Sequence, residues 1–127
     1  MSPVGGARQV RTLIVDDEED IRVLVRVTIE TANRGLSVAA EAADGEEGIA
    51  QWRRHRPEVV ILDQRMPGLT GLEVAARILA EQPDQSIVLF SAYLAKETVA
   101  DATSLGVRAC VSKSDFSTLP DVLWRVA

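Results

Sequence analysis

The chain of 127 residues is 46% hydrophobic and has a formal net charge of -5, which predicts one globular domain because the length is too short for two ordinary cores. The acidic excess argues against a nucleic-acid surface, and the short basic run at Arg53, Arg54 and Arg56 is more typical of a solvated helix end. The lone cysteine, Cys110, cannot form an internal disulfide, and without a signal-peptide pattern or an apolar stretch of roughly 20 residues we expect a cytoplasmic protein with no membrane segment.

Short apolar runs alternate with segments of helical periodicity along the chain. Residues 1–9, with Pro3, Gly5 and Gly6, predict a disordered tail ahead of a domain that spans 10–127. The apolar runs predict strands at Val10–Val15, Leu36–Ala42, Val59–Leu62, 87–90 and 107–111. The periodic segments predict helices at 19–32, 46–54, Gly71–Glu81 and Lys96–Leu105, and a final helix with Leu119, Val122, Leu123 and Val126 at core spacing.

The alternation of strands and helices predicts the fold class. Strands joined by helices form a parallel sheet, and each right-handed crossover lays its helix on one face of that sheet. Val59–Leu62 and 87–90 are apolar on both faces, as central strands require, whereas Leu36–Ala42 is less apolar and suits an edge. We therefore predict a doubly wound α/β domain, with a five-stranded parallel sheet in the flavodoxin-like order 2-1-3-4-5 and helices on both faces.

Polar residues follow four of the predicted strands. Asp16 and Asp17 come after the first strand, Asp63 after the third, Ser91 after the fourth and Lys113 after the fifth. Ligands of open parallel sheets bind beyond the carboxyl ends of the strands. The predicted strand order brings these residues to one crevice and leaves the edge strand outside it.

These residue types favour phosphoryl chemistry assisted by a hard cation. Carboxylates that lie close together repel one another, so a divalent cation is expected between them. Oxygen ligands with no His or Cys nearby favour Mg²⁺, with Mn²⁺ as an alternative, and Mg²⁺ leaves room for a phosphate oxygen. Lys113 offers a mobile positive charge, Ser91 a hydroxyl donor, and Asp63 a carboxylate nucleophile that can form an acyl phosphate.

The same residues resemble the receiver domains of two-component response regulators. The likeness extends from Val10 onward and rests on four motifs in receiver-like order and spacing: Asp16-Asp17-Glu18, Asp63 followed by Met66-Pro67-Gly68, Ser91-Ala92, and Lys113. The resemblance implies that a sensor histidine kinase, or a phosphotransfer protein, donates the phosphoryl group of its phosphohistidine to Asp63. It also implies that Asp17, Asp63 and the backbone carbonyl of Arg65 bind Mg²⁺ directly, while Asp16 acts mainly through water.

The resemblance further implies a signalling switch that catalyses its own aspartyl phosphorylation and dephosphorylation, rather than a metabolic enzyme. Ser91 and Lys113 would bind the phosphoryl oxygens, and the segment at Ala92 and Tyr93 would shift toward them. The output would be a downstream protein that binds the surface of the fourth helix, fifth strand and fifth helix. The sequence leaves open whether phosphorylation also produces a homodimer, and whether the chain is a complete regulator or the receiver of a longer one.

Two positions depart from the usual receiver pattern. Receivers commonly have Tyr or Phe three residues before the lysine, where the ring turns inward on activation, but this chain has Cys110. The nearest ring that could substitute is Tyr93. Many receivers follow the lysine with proline, often through a cis peptide, whereas Ser114 follows here; a non-proline cis bond costs about 2.5–4 kcal/mol, so we predict a trans link.

Three residues have simpler explanations that do not require a site. Glu18 is expected only to cap the first helix, because acidic residues suit a helix start. Ser91 could be an ordinary turn residue after a strand. Cys110 is expected to be a small buried residue and not a redox sensor, because the chain has no second cysteine to resolve an oxidised one.

Three other functions compete with that of a phosphoryl-accepting receiver. Aspartate-nucleophile phosphatases of this fold resemble a pattern with a second aspartate two residues after the nucleophile, where this chain has Arg65. A nucleotide or flavin binder is disfavoured because no glycine-rich phosphate loop follows the first strand. The main alternative is a protein-interaction module on the same fold that works without phosphorylation.

Overall fold

Five parallel strands form one sheet in the order β2-β1-β3-β4-β5. The computed structural model describes residues 8–127. The strands are β1 (Val10–Val15), β2 (Leu36–Ala42), β3 (Val59–Leu62), β4 (Ser86–Ser91) and β5 (Ala109–Ser112). The helices are α1 (Glu19–Thr31), α2 (Gly45–His55), α3 (Gly71–Glu81), α4 (Lys96–Leu105) and α5 (Leu119–Val126). The strand order and the parallel pairing confirm the predicted doubly wound fold.

Alternating side chains of the strands build a hydrophobic core on each face of the sheet. Leu13 and Val15 of β1 belong to the core covered by α2, α3 and α4, whereas Ile14 between them belongs to the core covered by α1 and α5. All residues of β3 and β4 are buried, while most of β2 is only partly buried. The predicted central and edge positions of these strands are therefore confirmed.

The fifth strand begins later than the predicted 107–111. Val107 completes the end of α4, because the backbone N–H groups of Gly106 and Val107 both donate to the carbonyl of Ala102. Gly106 has a φ of 106°, a left-handed conformation that glycine adopts without strain and that commonly ends a helix. The strand therefore starts only at Ala109.

A 3-10 helix, Lys113–Thr118, follows β5 and was not predicted from the sequence. It begins where the hydroxyl of Ser112 accepts the backbone N–H of Ser114, at 3.4 Å. Short bonds between a serine side chain and the nearby backbone compete with strand pairing, which explains why β5 ends at this point. The Lys113–Ser114 peptide is trans, as predicted, since no cis bond occurs within the described residues.

The predicted N-terminal tail lies largely outside the described residues. Only Arg8 and Gln9 of that segment are described, and both are exposed ahead of β1. Within residues 8–127, no helix combines the length and the apolar character needed to cross a bilayer.

Candidate functional site

Three acidic side chains come together where β1 leads into α1. Asp16 is 2% exposed, its backbone N–H donates to the carbonyl of Ala42 at 3.0 Å, and its Oδ1 accepts the backbone N–H of Glu18 at 2.9 Å. Asp17 and Glu18 are exposed. One carboxylate oxygen from each of the three lies within 4.8 Å of the others. The turn after β1 is therefore a compact group of oxygen donors.

Asp63 stands directly after β3 and is 4% exposed. Its backbone N–H donates to the carbonyl of Val15 at 2.9 Å, which continues the pairing of β1 with β3 and sets Asp63 beside the acidic turn. Behind it, the N–H of Gly71 donates to the carbonyl of Gln64 at 3.0 Å. The backbone of Asp63 is thus held between a central strand and the start of α3.

Lys113 connects the two buried carboxylates. Its Nζ lies 2.9 Å from Oδ2 of Asp16 and 3.3 Å from Oδ2 of Asp63. The same atom lies 3.5 Å from Oε1 of Glu18, and the lysine side chain is 11% exposed. The strand order therefore brings together Asp16, Asp63 and Lys113 from three different strand ends, as the sequence predicts.

The electrostatics of this cluster are unbalanced toward negative charge. Burial, together with repulsion from Asp16, raises the pKa of Asp63 above the usual aspartate value, and Lys113 opposes this shift only in part. Burial by itself would lower the pKa of Lys113, but its contacts with the Asp16 and Asp63 carboxylates outweigh burial and raise that pKa. Lys113 is therefore a firmly protonated cation among a surplus of carboxylates.

The donor set fits a small hard cation. Oδ2 of Asp16 is buried, and its partner within residues 8–127 is the Lys113 ammonium at 2.9 Å, which also lies close to Asp63 and Glu18. One ammonium group cannot neutralise several carboxylates that lie this close together, so a further cation would relieve the repulsion between them. All the ligand atoms that Asp16, Asp17, Glu18 and Asp63 offer are oxygens, the donors that Mg²⁺ and Mn²⁺ prefer.

Comparison with known families identifies the family to which this domain belongs. Residues 12–123 match the family model for the response regulator receiver domain. The chain belongs to this family. Receiver domains of two-component systems generally bind Mg²⁺ at an acidic pocket, and they interact with histidine kinases and with effector domains.

Curated relatives of this receiver include both short and long proteins. Protein CcdB of Bacillus subtilis is 33% identical over 103 residues, which are 81% of this chain and 84% of that protein. Chemotaxis protein CheY of Listeria monocytogenes is 31% identical over 103 residues, covering 81% of this chain and 85% of CheY. A protein-glutamate methylesterase/protein-glutamine glutaminase of Anaeromyxobacter dehalogenans is 44% identical over 89 residues, or 70% of this chain. The chain spans only 26% of the length of that relative.

Solved structures show the same receiver architecture. A LuxR-family two-component response regulator from Aurantimonas superposes with a TM-score of 0.88 at 28% identity, covering 94% of this chain and 85% of the other. Chemotaxis protein CheY4 of Vibrio cholerae superposes with a TM-score of 0.84, also at 28% identity, covering 94% of this chain and all of that one. These likenesses support the strand order of this receiver.

The side chain of Glu18 makes different contacts from those predicted. Glu18 occupies the N-cap position of α1, but its side chain makes no capping hydrogen bond. Its carboxylate instead joins Asp16 and Asp17 and approaches Lys113 at 3.5 Å. The expectation that Glu18 only caps the helix is therefore wrong. No pattern in the sequence distinguishes the two side-chain directions, because the direction depends on a lysine contributed by another strand.

The residues predicted to switch differ in their exposure. Ser91 is 2% exposed and lies at the end of β4, paired in register with Ser112. Ala92 and Tyr93 follow it and are exposed, Tyr93 to 64%. The guanidinium of Arg65 lies over the Tyr93 ring at 5.8 Å from its centre, so the ring points away from the core. Tyr93 does not fill the place of the missing inward aromatic residue in this conformation.

Cys110 is half-buried in β5 and packs against the core covered by α2, α3 and α4. It lies opposite Leu89 in the register of β4 and β5. Burial raises the pKa of its thiol, which leaves it protonated and unreactive near neutral pH. The expectation of a small buried residue is met only in part, because Cys110 is half-buried.

Arg65 and Tyr93 also line an open cleft beside the loop after β3. The cleft has a volume of about 510 Å³ and lies between the loop after β3 and the loop after β4, lined by Gln64, Arg65, Met66, Thr70, Tyr93 and Thr98. The metal-binding role of the Arg65 carbonyl stays a prediction.

Proposed function

We propose that this receiver accepts a phosphoryl group on Asp63 from the phosphohistidine of a sensor histidine kinase or a phosphotransfer protein, in a Mg²⁺-dependent reaction in the cytoplasm. The observation that supports this best is the position of Lys113, whose Nζ lies between the carboxylates of Asp16 and Asp63 at 2.9 and 3.3 Å. Buried ion pairs add little to stability, so such a cluster at the ends of the strands favours a functional role.

The proposed transfer uses a carboxylate oxygen of Asp63 as nucleophile. This oxygen attacks phosphorus, a new O–P bond forms, and the N–P bond of the phosphohistidine breaks. The donor ring, which carries a proton on its other nitrogen, takes the electron pair of that bond and leaves as a neutral imidazole. Hydrolysis of the acyl phosphate by water later releases inorganic phosphate and restores the carboxylate.

Asp16, Asp17, Asp63 and the backbone carbonyl of Arg65 are the residues we expect to hold Mg²⁺, with Mn²⁺ as a substitute. When bound, the cation neutralises charge on the phosphoryl oxygens as they approach the acidic pocket. Asp16 is proposed to act through water, since its Oδ2 already has the Lys113 ammonium at 2.9 Å. Asp17 is exposed and free to turn toward the pocket.

Lys113 and Ser91 are proposed to bind the new phosphoryl group. Lys113 can exchange a contact with the Asp63 carboxylate for one with a phosphoryl oxygen, because its side chain already lies 3.3 Å from that residue. The Ser91 hydroxyl would donate to another oxygen, which requires the segment with Ala92 and Tyr93 to move toward Asp63. This movement is proposed to change the surface of α4, β5 and α5, where a downstream protein would bind.

The proposal is tested by incubation with acetyl phosphate and Mg²⁺, followed by intact-mass analysis. The wild type should gain one phosphoryl group that hydroxylamine removes, as expected of an acyl phosphate. Asp63→Asn should gain none. Asp101→Asn is the matched control, because Asp101 is exposed on α4 and should leave the adduct unchanged.

The same assay separates the proposal from its main alternative. A wild type that gains no phosphoryl group from acetyl phosphate or from a histidine kinase, and binds no Mg²⁺, would overturn the proposal. An interaction module that works without phosphorylation would then be the better description.

A further inference from the structure

The backbone carbonyl of Asp16 is held by a side chain of α1. Beyond the last residue of β1, the N–H of Asp16 still donates to the carbonyl of Ala42 in the edge strand, at 3.0 Å. The carbonyl oxygen of Asp16 instead accepts a hydrogen bond from Nη1 of Arg22, at 2.6 Å. The Arg22 side chain is only 16% exposed, so this bond is largely shielded from water and correspondingly strong.

This hydrogen bond sets the orientation of the peptide between Asp16 and Asp17. A peptide group is planar, so the direction of the Asp16 carbonyl also fixes the N–H of Asp17 and the point from which the Asp17 side chain departs. The side chain of Asp16 is tied to the same turn, since its Oδ1 accepts the N–H of Glu18 at 2.9 Å. Arg22 therefore acts on both aspartates without contacting either carboxylate.

Arg22 is oriented in turn by Glu41 of β2. Nε of Arg22 lies 3.3 Å from Oε1 of Glu41. A guanidinium is planar and presents its N–H groups in fixed directions, so it can contact a carboxylate through Nε while Nη1 reaches a carbonyl. Arg26, one turn further along α1, contacts the other oxygen of Glu41. Within residues 8–127, Arg26 makes no hydrogen bond to Asp16.

We infer that Arg22, oriented by Glu41, is a positioning residue for the metal-binding carboxylates Asp16 and Asp17. The inference rests on the proposed function, because it concerns the Mg²⁺ that the acceptor reaction requires. It also assigns an indirect role to β2. That strand contributes no side chain to the acidic pocket, yet it holds the Asp16 backbone in two ways. The Ala42 carbonyl accepts the Asp16 N–H, and Glu41 orients Arg22, which donates to the Asp16 carbonyl.

The sign of the change in Mg²⁺ affinity distinguishes positioning from simple electrostatics. Removing a positive charge near a group of carboxylates should by itself strengthen cation binding. Loss of a residue that orients metal ligands weakens it, typically by roughly tenfold or more. Arg22→Gln should therefore raise the Kd for Mg²⁺ about tenfold in isothermal titration. Arg22→Lys keeps the charge but cannot contact Glu41 and the Asp16 carbonyl in the same way, so it should show an intermediate loss.

Arg26→Gln is the matched control. Like Arg22→Gln, it removes one positive charge from α1 and one contact with Glu41. Unlike Arg22→Gln, it removes no hydrogen bond to Asp16. Its Kd for Mg²⁺ should equal that of the wild type or be slightly lower. Glu41→Gln should weaken Mg²⁺ binding in the same direction as Arg22→Gln, because the guanidinium loses its orientation.

Acetyl phosphate kinetics provide a second measurement. For Arg22→Gln, the Mg²⁺ concentration that gives half the maximal phosphorylation rate should rise about tenfold, while the rate at saturating Mg²⁺ returns to near the wild-type value. Unchanged or tighter Mg²⁺ binding by a folded Arg22→Gln variant would overturn the inference. If Arg22→Gln does not fold, Arg22→Lys decides the question, because it keeps the positive charge and changes only the geometry of the contacts. Wild type that binds no Mg²⁺ would overturn the proposed function instead.

Discussion

Gly71 packs directly against the backbone of Asp63. A Cβ atom at position 71 would lie 2.3 Å from the carbonyl oxygen of Asp63 and 2.9 Å from the Cα of Gln64, both of which are backbone atoms that cannot turn aside. Gly71 begins α3, so the first turn of this helix abuts the residue that we propose as phosphoryl acceptor. The absence of a side chain at position 71 is what allows this approach.

Gly71→Ala should destabilise the receiver and displace Asp63. Alanine normally favours a helix over glycine by about 1 kcal/mol, so a loss of stability would have to come from the close contact. We expect a net loss of about 1–3 kcal/mol in urea unfolding, the usual cost of an overpacked site. Phosphorylation by acetyl phosphate should slow in the variant, because the acceptor carboxylate moves relative to the acidic turn.

Gly68→Ala is the comparison for this variant. Gly68 has a φ of 80°, yet nothing lies within 4 Å of a Cβ built there. Its substitution should cost only the backbone strain, about 1 kcal/mol. Equal losses of stability in the two variants would mean that the contact between Gly71 and Asp63 is readily relieved.

The raised pKa of Asp63 predicts a pH-dependent stability. A carboxyl group whose pKa is higher in the folded than in the unfolded state stabilises the fold at pH values below the unfolded pKa, and this contribution disappears as the pH rises through the folded pKa. At neutral pH, ionised Asp63 therefore destabilises the metal-free protein. Asp63→Asn should unfold at higher urea concentration than the wild type at pH 7 in EDTA, and this advantage should shrink as the pH falls toward 4.

The control for the pH series is Asp101→Asn, which removes an exposed carboxylate. It should show no comparable change between pH 4 and 7. An Asp63→Asn variant that is less stable than the wild type at neutral pH would mean that Lys113 more than compensates for burial and for the repulsion by Asp16.

The fold could be predicted from the sequence because periodicity and burial are coupled in a doubly wound sheet. The apolar runs of β1, β2 and β3 have the bounds that their patterns predict, and the polar residues that follow β1, β3 and β5 meet at one edge. The strand order brings these residues together regardless of the conformations of the connecting loops. The positions of Asp16, Asp63 and Lys113 therefore follow from topology alone.

Features that depend on single hydrogen bonds could not be predicted in the same way. Val107 belongs to the end of α4 because of bonds to the carbonyl of Ala102, and the 3-10 helix after β5 begins with a bond from Ser114 to Ser112. The carboxylate of Glu18 turns toward Lys113, which follows β5, instead of capping α1. These choices depend on side-chain rotamers and on residues distant in sequence, which periodicity does not encode.

Gln85 is expected to stabilise the receiver without affecting its chemistry. Its Oε1 accepts the indole N–H of Trp52 at 2.9 Å, and its Nε2 is within hydrogen-bonding distance of the carbonyls of Glu58 and Ser86, at 3.0 and 3.1 Å. Gln85 is 3% exposed and precedes β4, at the opposite end of the sheet from Asp63. Gln85→Leu leaves the buried indole N–H without a partner, which costs about 1–3 kcal/mol.

The loss of stability in Gln85→Leu should appear in urea unfolding. The rate of phosphorylation by acetyl phosphate should stay unchanged at a temperature where the variant is folded. Gln82→Leu is the matched control, because Gln82 is only half-buried and its side chain makes one long bond, 3.4 Å, from Arg56. A phosphorylation defect in Gln85→Leu would show that the two ends of the sheet are coupled.

Lys113 and a bound cation are expected to compete for the same carboxylates. The Lys113 ammonium lies within 3.5 Å of Asp16, Asp63 and Glu18. Two like charges about 4 Å apart repel by roughly 1 kcal/mol in water and roughly 4 kcal/mol near a protein surface. Lys113→Met should therefore lower the Kd for Mg²⁺ by about fivefold or more, which corresponds to roughly 1 kcal/mol.

In EDTA, Lys113→Met should destabilise the fold. Asp16 and Asp63 are both buried, and without the lysine no positive side chain within the described residues pairs with them. The free energy of unfolding should fall in EDTA and recover with Mg²⁺ by more than it does in the wild type, because the cation replaces the lost charge. Lys96→Met is the control, since Lys96 is the only other lysine and is exposed at the start of α4. If Lys113→Met bound Mg²⁺ more weakly than the wild type, Lys113 would help to assemble the metal site, and the competition inferred from its three contacts would be wrong.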